Sequence, residues 1–332
     1  MISSRVIDVV ILTHNRKHEA LRTIARMRAA DAVGSIVVVD NGSGDATADA
    51  IASRFPNVRT VRLPRNIGAA ARNAGVRETR TPYVAFCDDD TWWSPPSLTR
   101  AASILDAYPQ FGVITGRVLV GPKEIDDPTN ERMQRSPFAN ELGFPGSEVL
   151  GFLAGACVFR RRAFLQAGGY QPRFFIGGEE ALLAIDLAVA GWRMGYVPDV
   201  VAHHYPSAIR NAIDRRWLLI RNALWCAWLR RPIGSAIAQT RAQLSSARFG
   251  DALRGLFSAL RGMPWVLRER RVVPAHVERA IAAREAFEAT FESMKNPSAA
   301  RRRVHVSRGA SVPTHADNRA RRNDAHNPPS PL

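Results

Sequence analysis

The chain has 332 residues, 46% of them hydrophobic, and carries a formal net charge of +16. This size and apolar content exclude a small stapled scaffold and call for a large globular unit, with or without an appendage. So large a basic excess is more than a single phosphate-using domain needs, and it points to a polyanion, either a lipid headgroup surface or nucleic acid.

From residue 6 to about 120, short β-branched runs alternate with polar turns and alanine-rich amphipathic segments. The runs Val9–Leu12, Ile36–Val39, Val58–Leu63 and Tyr83–Cys87 read as strands, and residues 17–30, 45–54, 68–79 and 96–108 as helices. Strands that are apolar on both faces and separated by helices imply a doubly wound, mostly parallel α/β sheet. Ligands of such sheets bind beyond the carboxyl ends of the strands, so the residues that follow each run carry the chemistry. Residues 121–148 are rich in polar residues, Pro and Gly without clean periodicity and read as a long loop. A second block follows to about His204, with an apolar segment at Phe152–Phe159, a helix near Arg162–Ala167, a helix opened by Glu179-Glu180, and short strands at Met194–Val197 and Val200–His203. Residues 209–296 read as a basic helical extension, and 297–332, poor in large apolar groups, as a disordered tail.

Five features at these strand ends and helix starts bear on chemistry. Asp88-Asp89-Asp90 closes the fourth strand, and three adjacent carboxylates invite a hard divalent cation that keeps positions open for substrate phosphates, a solvated acidic turn being the plainer alternative. Asp40 ends the second strand before Asn41-Gly42, a turn suited to unusual dihedrals, although Ser43 or Asp45 could equally serve as helix caps. Arg65-Asn66-Ile67-Gly68 and Arg72 lie at a helix start, where anions are favoured, and an ordinary capped helix with a surface arginine is the plainer alternative. Glu179-Glu180 supplies either a general base for an acceptor hydroxyl or simply a dipole-favoured first turn. His203-His204 offers one imidazole to a metal shell, because adjacent side chains on a strand face opposite ways. His14 has no assigned role. Trp92 and Trp93 offer a face to a sugar ring or fill the cleft wall.

Taken in order and separation, these blocks resemble the family-2 glycosyltransferases of the A-type (GT-A) fold over residues 8–210. The residues that carry the likeness are Val10–Arg16, Val39–Ser43, Arg65–Gly68, Ala71–Gly75, Asp88–Asp90, Gly177–Glu180 and His203-His204. The resemblance implies a catalytic domain over 1–208, with a nucleotide-sugar-binding half at 1–120 and an acceptor-side half at 121–208. It implies that the Thr13 backbone meets the nucleobase and that Asp40 recognises it. Arg72 lies near the nucleotide, Asp88 on the donor-ribose side, and Asn15, Asn66 and Asp89 complete the donor-binding set. Mg²⁺ or Mn²⁺ would sit on Asp90, with Asp88 and His203 or His204 as further ligands. The family usually has Glu-Asp where this chain has Glu179-Glu180, which favours Glu180 as the base and leaves Glu179 open. The implied reaction is a single displacement with inversion, from a UDP- or dTDP-linked sugar to a saccharide or lipid-linked cell-envelope acceptor.

Two rival functions are weaker. A sugar-phosphate nucleotidyltransferase commonly shows a glycine-rich, arginine- and lysine-bearing first loop, whereas Thr13-His14-Asn15-Arg16 contains no glycine, and neither dinucleotide nor P-loop glycine patterns occur. A nucleic-acid-binding protein lacks any finger, RNP-like or helix-turn-helix signal, so no specific nucleic acid is expected. Cys87, Cys157 and Cys226 are widely spaced and odd in number, as in a reducing compartment. No signal peptide or apolar span is evident, and the expected location is cytoplasmic, with peripheral attachment to the cytoplasmic face of the inner membrane as the basic extension's role. In that extension Trp217, Leu224 and Trp228 share one helical face with Arg216 and Arg230 off it, a stripe suited either to the catalytic domain or to an anionic bilayer.

Overall fold

The computed structural model describes residues 7–30, 32–140, 143–207 and 216–295. Its strands are β1 (Ile7–Thr13), β2 (Val33–Asp40), β3 (Arg59–Arg62), β4 (Tyr83–Asp88), β5 (Thr91–Trp93), β6 (Phe111–Val120), β7 (Ile125–Asp126), β8 (Ser147–Val149), β9 (Cys157–Arg160) and β10 (Arg193–His204). The helices are α1 (Lys17–Met27), α2 (Thr47–Arg54), α3 (Arg72–Glu78), α4 (Pro95–Ala107), α5 (Pro128–Gln134), α6 (Arg161–Gln166) and α7 (Glu179–Val189). They continue with α8 (Arg216–Arg230), α9 (Ile233–Ser246), α10 (Phe249–Arg268) and α11 (Ala275–Lys295).

One sheet runs in the order β3-β2-β1-β4-β9-β6-β10-β5. Its first four strands are parallel, as the buried β-branched runs require, and Thr13 lies beside Asp40 while Leu12 lies beside Asp88. The sheet turns mixed at β9, which is antiparallel to both β4 and β6. All the strand ends that carry the expected chemistry therefore open on one edge. Apolar clusters cover both faces, one around Val10, Phe86 and Phe159, the other around Ile11, Ile24 and Leu98.

Two local expectations give way. Residues 121–148 are not plain loop, because they contain β7, α5 and the start of β8. The Asp127 side chain accepts from the Thr129 N–H at 2.8 Å, with Pro128 in the first turn, and Asn130 exchanges hydrogen bonds with the Val118 backbone at 3.0 and 2.8 Å. A helix held by capping and one buried amide leaves little apolar periodicity to read. The two short strands expected at 194–203 are one strand, β10, whose register shifts between Val197 and Val201. Pro198 lies in that interval and has no N–H to give to a ladder.

The helices after β10 are not a separate body. The chain divides after Glu288, and Ala289–Leu332 form a second unit of which residues 289–295 are described. The expected disordered tail at 297–332 lies outside the described residues. Leu224, Trp225 and Leu229 of α8 are buried in the same cluster as Phe174, Leu182 and Leu183. Each such side chain contributes about 2 kcal/mol by its burial, so this face of α8 is held against α7 and the segment before it and is not free to meet a bilayer. Trp228 donates from Nε1 to Thr240 Oγ1 at 3.1 Å, and the Arg254 guanidinium lies 4.4 Å over the Trp217 ring. The stripe of Trp217, Leu224 and Trp228 is thus largely spent on packing. Small residues let α10 close against α8: a Cβ at Gly262 would lie 2.4 Å from the Trp225 ring, and one at Gly255 2.8 Å from Ile220. No helix among the described residues is long and apolar enough to cross a membrane.

Candidate active site

At the end of β1, Thr13 is buried. Its carbonyl accepts from the Asn41 N–H at 2.9 Å, and its hydroxyl donates to Asp89 Oδ2 at 3.0 Å. Asn15 adopts a left-handed φ of 54° and ties the first two strand ends together. Its N–H donates to Ser43 Oγ at 2.9 Å and its Oδ1 accepts from the Gly44 N–H at 2.7 Å. Asp40 accepts from the Ser43 N–H at 3.0 Å and is nearly buried. Asn41 donates to Asn66 Oδ1 at 2.9 Å and to the Gly68 carbonyl at 3.1 Å, which fixes the turn before α3. Gly68 is obligatory there, since it has φ +70° and its missing Cβ would fall 1.8 Å from the Phe175 carbonyl oxygen. The close approach joins the donor-side turn to the segment that leads into α7.

Arg72 is buried, pairs with Asp88, and lies 5.9 Å from the Phe86 ring centre. Asp88 is backed by Gly155, where a Cβ would lie 2.7 Å from its Oδ2. Asp89 is turned away from the cleft. It takes Thr13 and Arg16 on its carboxylate, the latter at 2.9 Å, while its carbonyl accepts from Thr23 Oγ1 at 2.8 Å. Burial, opposed by Arg16, pushes its carboxyl up to about 7. Asp89 therefore anchors the acidic turn to α1 and is not placed to touch a donor. Asp90 accepts from the Ser207 N–H at 3.2 Å, meets Arg16 at 3.4 Å, and stands 3.6 Å from His204 Nε2. Burial and the neighbouring Asp88 raise its carboxyl above the usual range.

His203 and His204 part company on β10. Both ring nitrogens of His203 are taken, Nε2 by Ser94 Oγ at 2.8 Å and Nδ1 by Glu124 Oε2 at 2.7 Å, and its ring stacks on Trp92. His203 leaves the ligand set, and His204 is the histidine that faces Asp90. Trp92 also carries the Arg26 guanidinium 3.5 Å from its ring centre, and Trp93 is buried, so both tryptophans are packed into the wall.

The residues present fit a divalent ion of the Mg²⁺ or Mn²⁺ kind. Among the described residues no three His, Cys, Asp or Glu side chains gather into a closed metal site. Asp90 and His204 are two donors, with Asp88 beside them on Arg72, and a hard ion that takes one or two protein ligands completes its shell from diphosphate and water.

Glu179 and Glu180 open α7 after Gly177 and Gly178, both at φ 85°. Glu179 is buried, with Oε2 unpartnered. Glu180 lines a cavity of 360 Å³ shared with Met133, Phe138, Leu150, Phe152 and Arg284. Burial raises both carboxyls. The charge of Glu180 adds to the rise at Glu179, while Glu180 itself is held down by backbone N–H groups and by Arg72. A carboxyl that binds its proton more tightly in the folded chain contributes stability below its ordinary value of 4.5 and loses it as pH rises. Asp89 acts in the same direction. The melting temperature of the ligand-free protein should therefore fall between about pH 5 and about pH 8, and Glu179→Gln should flatten that fall. Equal pH slopes for the two proteins would refute the buried-proton assignment.

The turn that aims these glutamates is set from the extension. Asn222 on α8 is fully buried and donates from Nδ2 to the carbonyls of Phe174, Ile176 and Gly177 at 2.9, 3.2 and 2.5 Å. Asn222→Ala should cost about 1–3 kcal/mol of stability and lower any turnover that depends on the α7 turn. Asn222→Asp should be worse, because a carboxylate has no proton for three carbonyls. Thermal melts and steady-state rates of the two variants check the order. Arg16, Gly155, Ser207 and Asn222 are site residues that sequence reasoning missed. Only Arg16, next to Asn15 in the first turn, had a local signal.

The Glycosyl transferase family 2 model matches residues 8–168, which run from β1 through the acidic turn to the end of α6. This span is a family-2 glycosyltransferase domain of the GT-A fold. Over 234 residues the chain is 27% identical to N-acetylglucosaminyl-diphospho-decaprenol L-rhamnosyltransferase of Mycobacterium tuberculosis, covering 60% of this chain and 76% of that one. S. aureus TarS 1–349 superposes with a TM-score of 0.54 at 15% identity, over 88% of this chain and 92% of that one, whereas the longer TarS chain is covered over 50% of its length. The mannosyltransferase PcManGT from Pyrobaculum calidifontis, in complex with GDP-Man and Mn²⁺, superposes with a TM-score of 0.51 at 16% identity, over 86% and 87%. The two solved structures share the fold of this glycosyltransferase domain.

Proposed function

We propose that this glycosyltransferase is inverting and moves a hexosyl or deoxyhexosyl group from a UDP- or dTDP-linked donor to a hydroxyl of a saccharide or lipid-linked cell-envelope acceptor. The observation that carries the reading is Glu180, which lines an apolar cavity on one side and feels Arg72 and Asp88 of the acidic turn on the other. The donor lies along the strand ends, its base against Thr13 and Asp40 and its diphosphate toward Arg72, Asp88 and Asp90. Asp90 and His204 would hold Mg²⁺ or Mn²⁺, which when bound neutralises charge on the departing diphosphate.

The acceptor enters the cavity between α5, the Leu150–Ala154 segment and α11. Its hydroxyl gives a proton to Glu180 as the oxygen attacks the anomeric carbon and the bond to the diphosphate breaks from the opposite face. Burial raises both carboxyls of the pair, and Glu180 is the member that lines the cavity where the acceptor hydroxyl would stand, which makes it the base. The lining combines Met133, Phe138, Leu150 and Phe152 with Arg132 and with Arg284, which also meets Glu288 at 3.8 Å, and a mixed apolar and cationic wall suits a lipid-linked sugar with an anionic linkage. The relative whose named acceptor is a diphospho-decaprenol sugar supports the same choice. The partner surface for such an acceptor is an anionic membrane, and the cytoplasmic face of the inner membrane is the setting in which nucleotide sugars meet it. A panel of nucleoside-diphosphate sugars with Mn²⁺, followed by mass and anomeric analysis of the product, tests the reading. Retained anomeric configuration, or turnover of a nucleoside triphosphate with a sugar phosphate in place of transfer, would overturn it.

A further inference from the structure

The apolar surface that the fold leaves uncovered is on α10. Its outward positions are Phe249, Leu253, Phe257, Leu260, Pro264 and Leu267, and the five large side chains among them are each more than half exposed. At 100° per residue they fall within a sector of roughly 80°. Arg254, Arg261 and Arg268 recur every seven residues along one flank and are exposed, while the acid of the first turn, Asp251, is half-buried off the stripe. The inward face is Gly255, Ala259, Gly262, Trp265 and Val266, all buried. The helix therefore buries three small residues with Trp265 and Val266 against the core and leaves five large apolar side chains outside.

We infer that α10 is an in-plane membrane helix that docks the enzyme on an anionic bilayer, with Phe249, Leu253, Phe257, Leu260 and Leu267 in the acyl boundary and Arg254, Arg261 and Arg268 at the headgroups. An apolar stripe flanked by arginines, on a helix too polar to span, is the arrangement that lies in the interface plane. The occupant is argued from charge. The stripe is flanked by cations on a chain of net charge +16, which attracts phosphate headgroups and repels a second copy of itself. Docking through α10 leaves the α8 packing intact, because the stripe is already outside the core. The purpose of the docking rests on the proposed lipid-linked acceptor, but its measurement does not.

The test is flotation of the full chain with phosphatidylcholine vesicles, with and without about 30% phosphatidylglycerol. The parent should float with the anionic vesicles at low salt, stay behind with neutral ones, and release as ionic strength rises toward about 0.5 M. Phe257→Ser with Leu260→Ser should lower partitioning at least roughly tenfold, and Arg261→Gln with Arg268→Gln should lower it and weaken its salt dependence. Both variants should keep the parent's melting temperature and its transfer to a water-soluble acceptor, so loss of binding is separable from loss of fold or of the proposed reaction. A parent that fails to float on anionic vesicles at low salt, or serine variants that float like the parent, would overturn the inference. So would a concentration-dependent dimer that the same serines abolish in the absence of flotation, which would assign the stripe to a second copy of the chain.

Discussion

Glu180→Gln should lower turnover by roughly 10²–10⁴-fold while donor affinity stays within a few-fold, the range expected when a positioned proton acceptor is removed. The amide keeps the volume of the side chain on the cavity wall and loses only basicity, so the change reads chemistry and not packing. Glu179→Gln is the necessary partner. It mimics the protonated state that burial imposes on Glu179, and turnover near neutral pH should change little. Pre-steady-state transfer and titration of the nucleoside diphosphate measure the two quantities separately. Equal rates for Glu180→Gln and the parent would remove the base from this position, and a crippled Glu179→Gln beside an active Glu180→Gln would move it by one residue.

Asp90→Ala should cost roughly 10²–10³ in turnover, the range for loss of a preorganised group that stabilises charge on the departing side of the reaction. It should also abolish most of the difference in nucleoside diphosphate affinity measured with Mn²⁺ and with a chelator. The fold should survive. Asp90 is buried against Asp88, and removing one carboxylate relieves repulsion between them, although Ser207 N–H and Arg16 lose an acceptor. His204→Ala should produce a smaller loss of the same kind and His203→Ala none in metal response, because both nitrogens of His203 are already bonded to Ser94 and Glu124. Calorimetric titrations of the three variants with and without Mn²⁺ check the ranking. A His203→Ala variant that alone loses the Mn²⁺ response would reverse the assignment made on β10.

The sequence by itself determined which residues stand at the sheet's open edge. Asp40 and Asp88–Asp90 follow β-branched runs, and a residue that follows a buried strand lies at the sheet's open edge whatever else the chain does. Glu179-Glu180 likewise read as the opening of a helix, and α7 starts at Glu179 after two glycines with a left-handed φ. Adjacency along a strand also dictated that only one of His203 and His204 faces the acidic turn. Which one was a tertiary matter, decided by the β10 register and by partners 109 and 79 residues away. Asp89 shows the same limit, because its neighbours in the chain look alike and only the packing of α1 turns it inward. The extension shows it most plainly. Periodicity gives apolar faces to both α8 and α10, but a face is buried or bare according to what the rest of the chain brings against it. α8 meets Phe174, Leu182 and the small residues of α10, whereas nothing among the described residues covers Phe257 and Leu260. Asn222 had no signal at all, because its role is to serve three carbonyls more than forty residues away, a contact that exists only once α8 has docked.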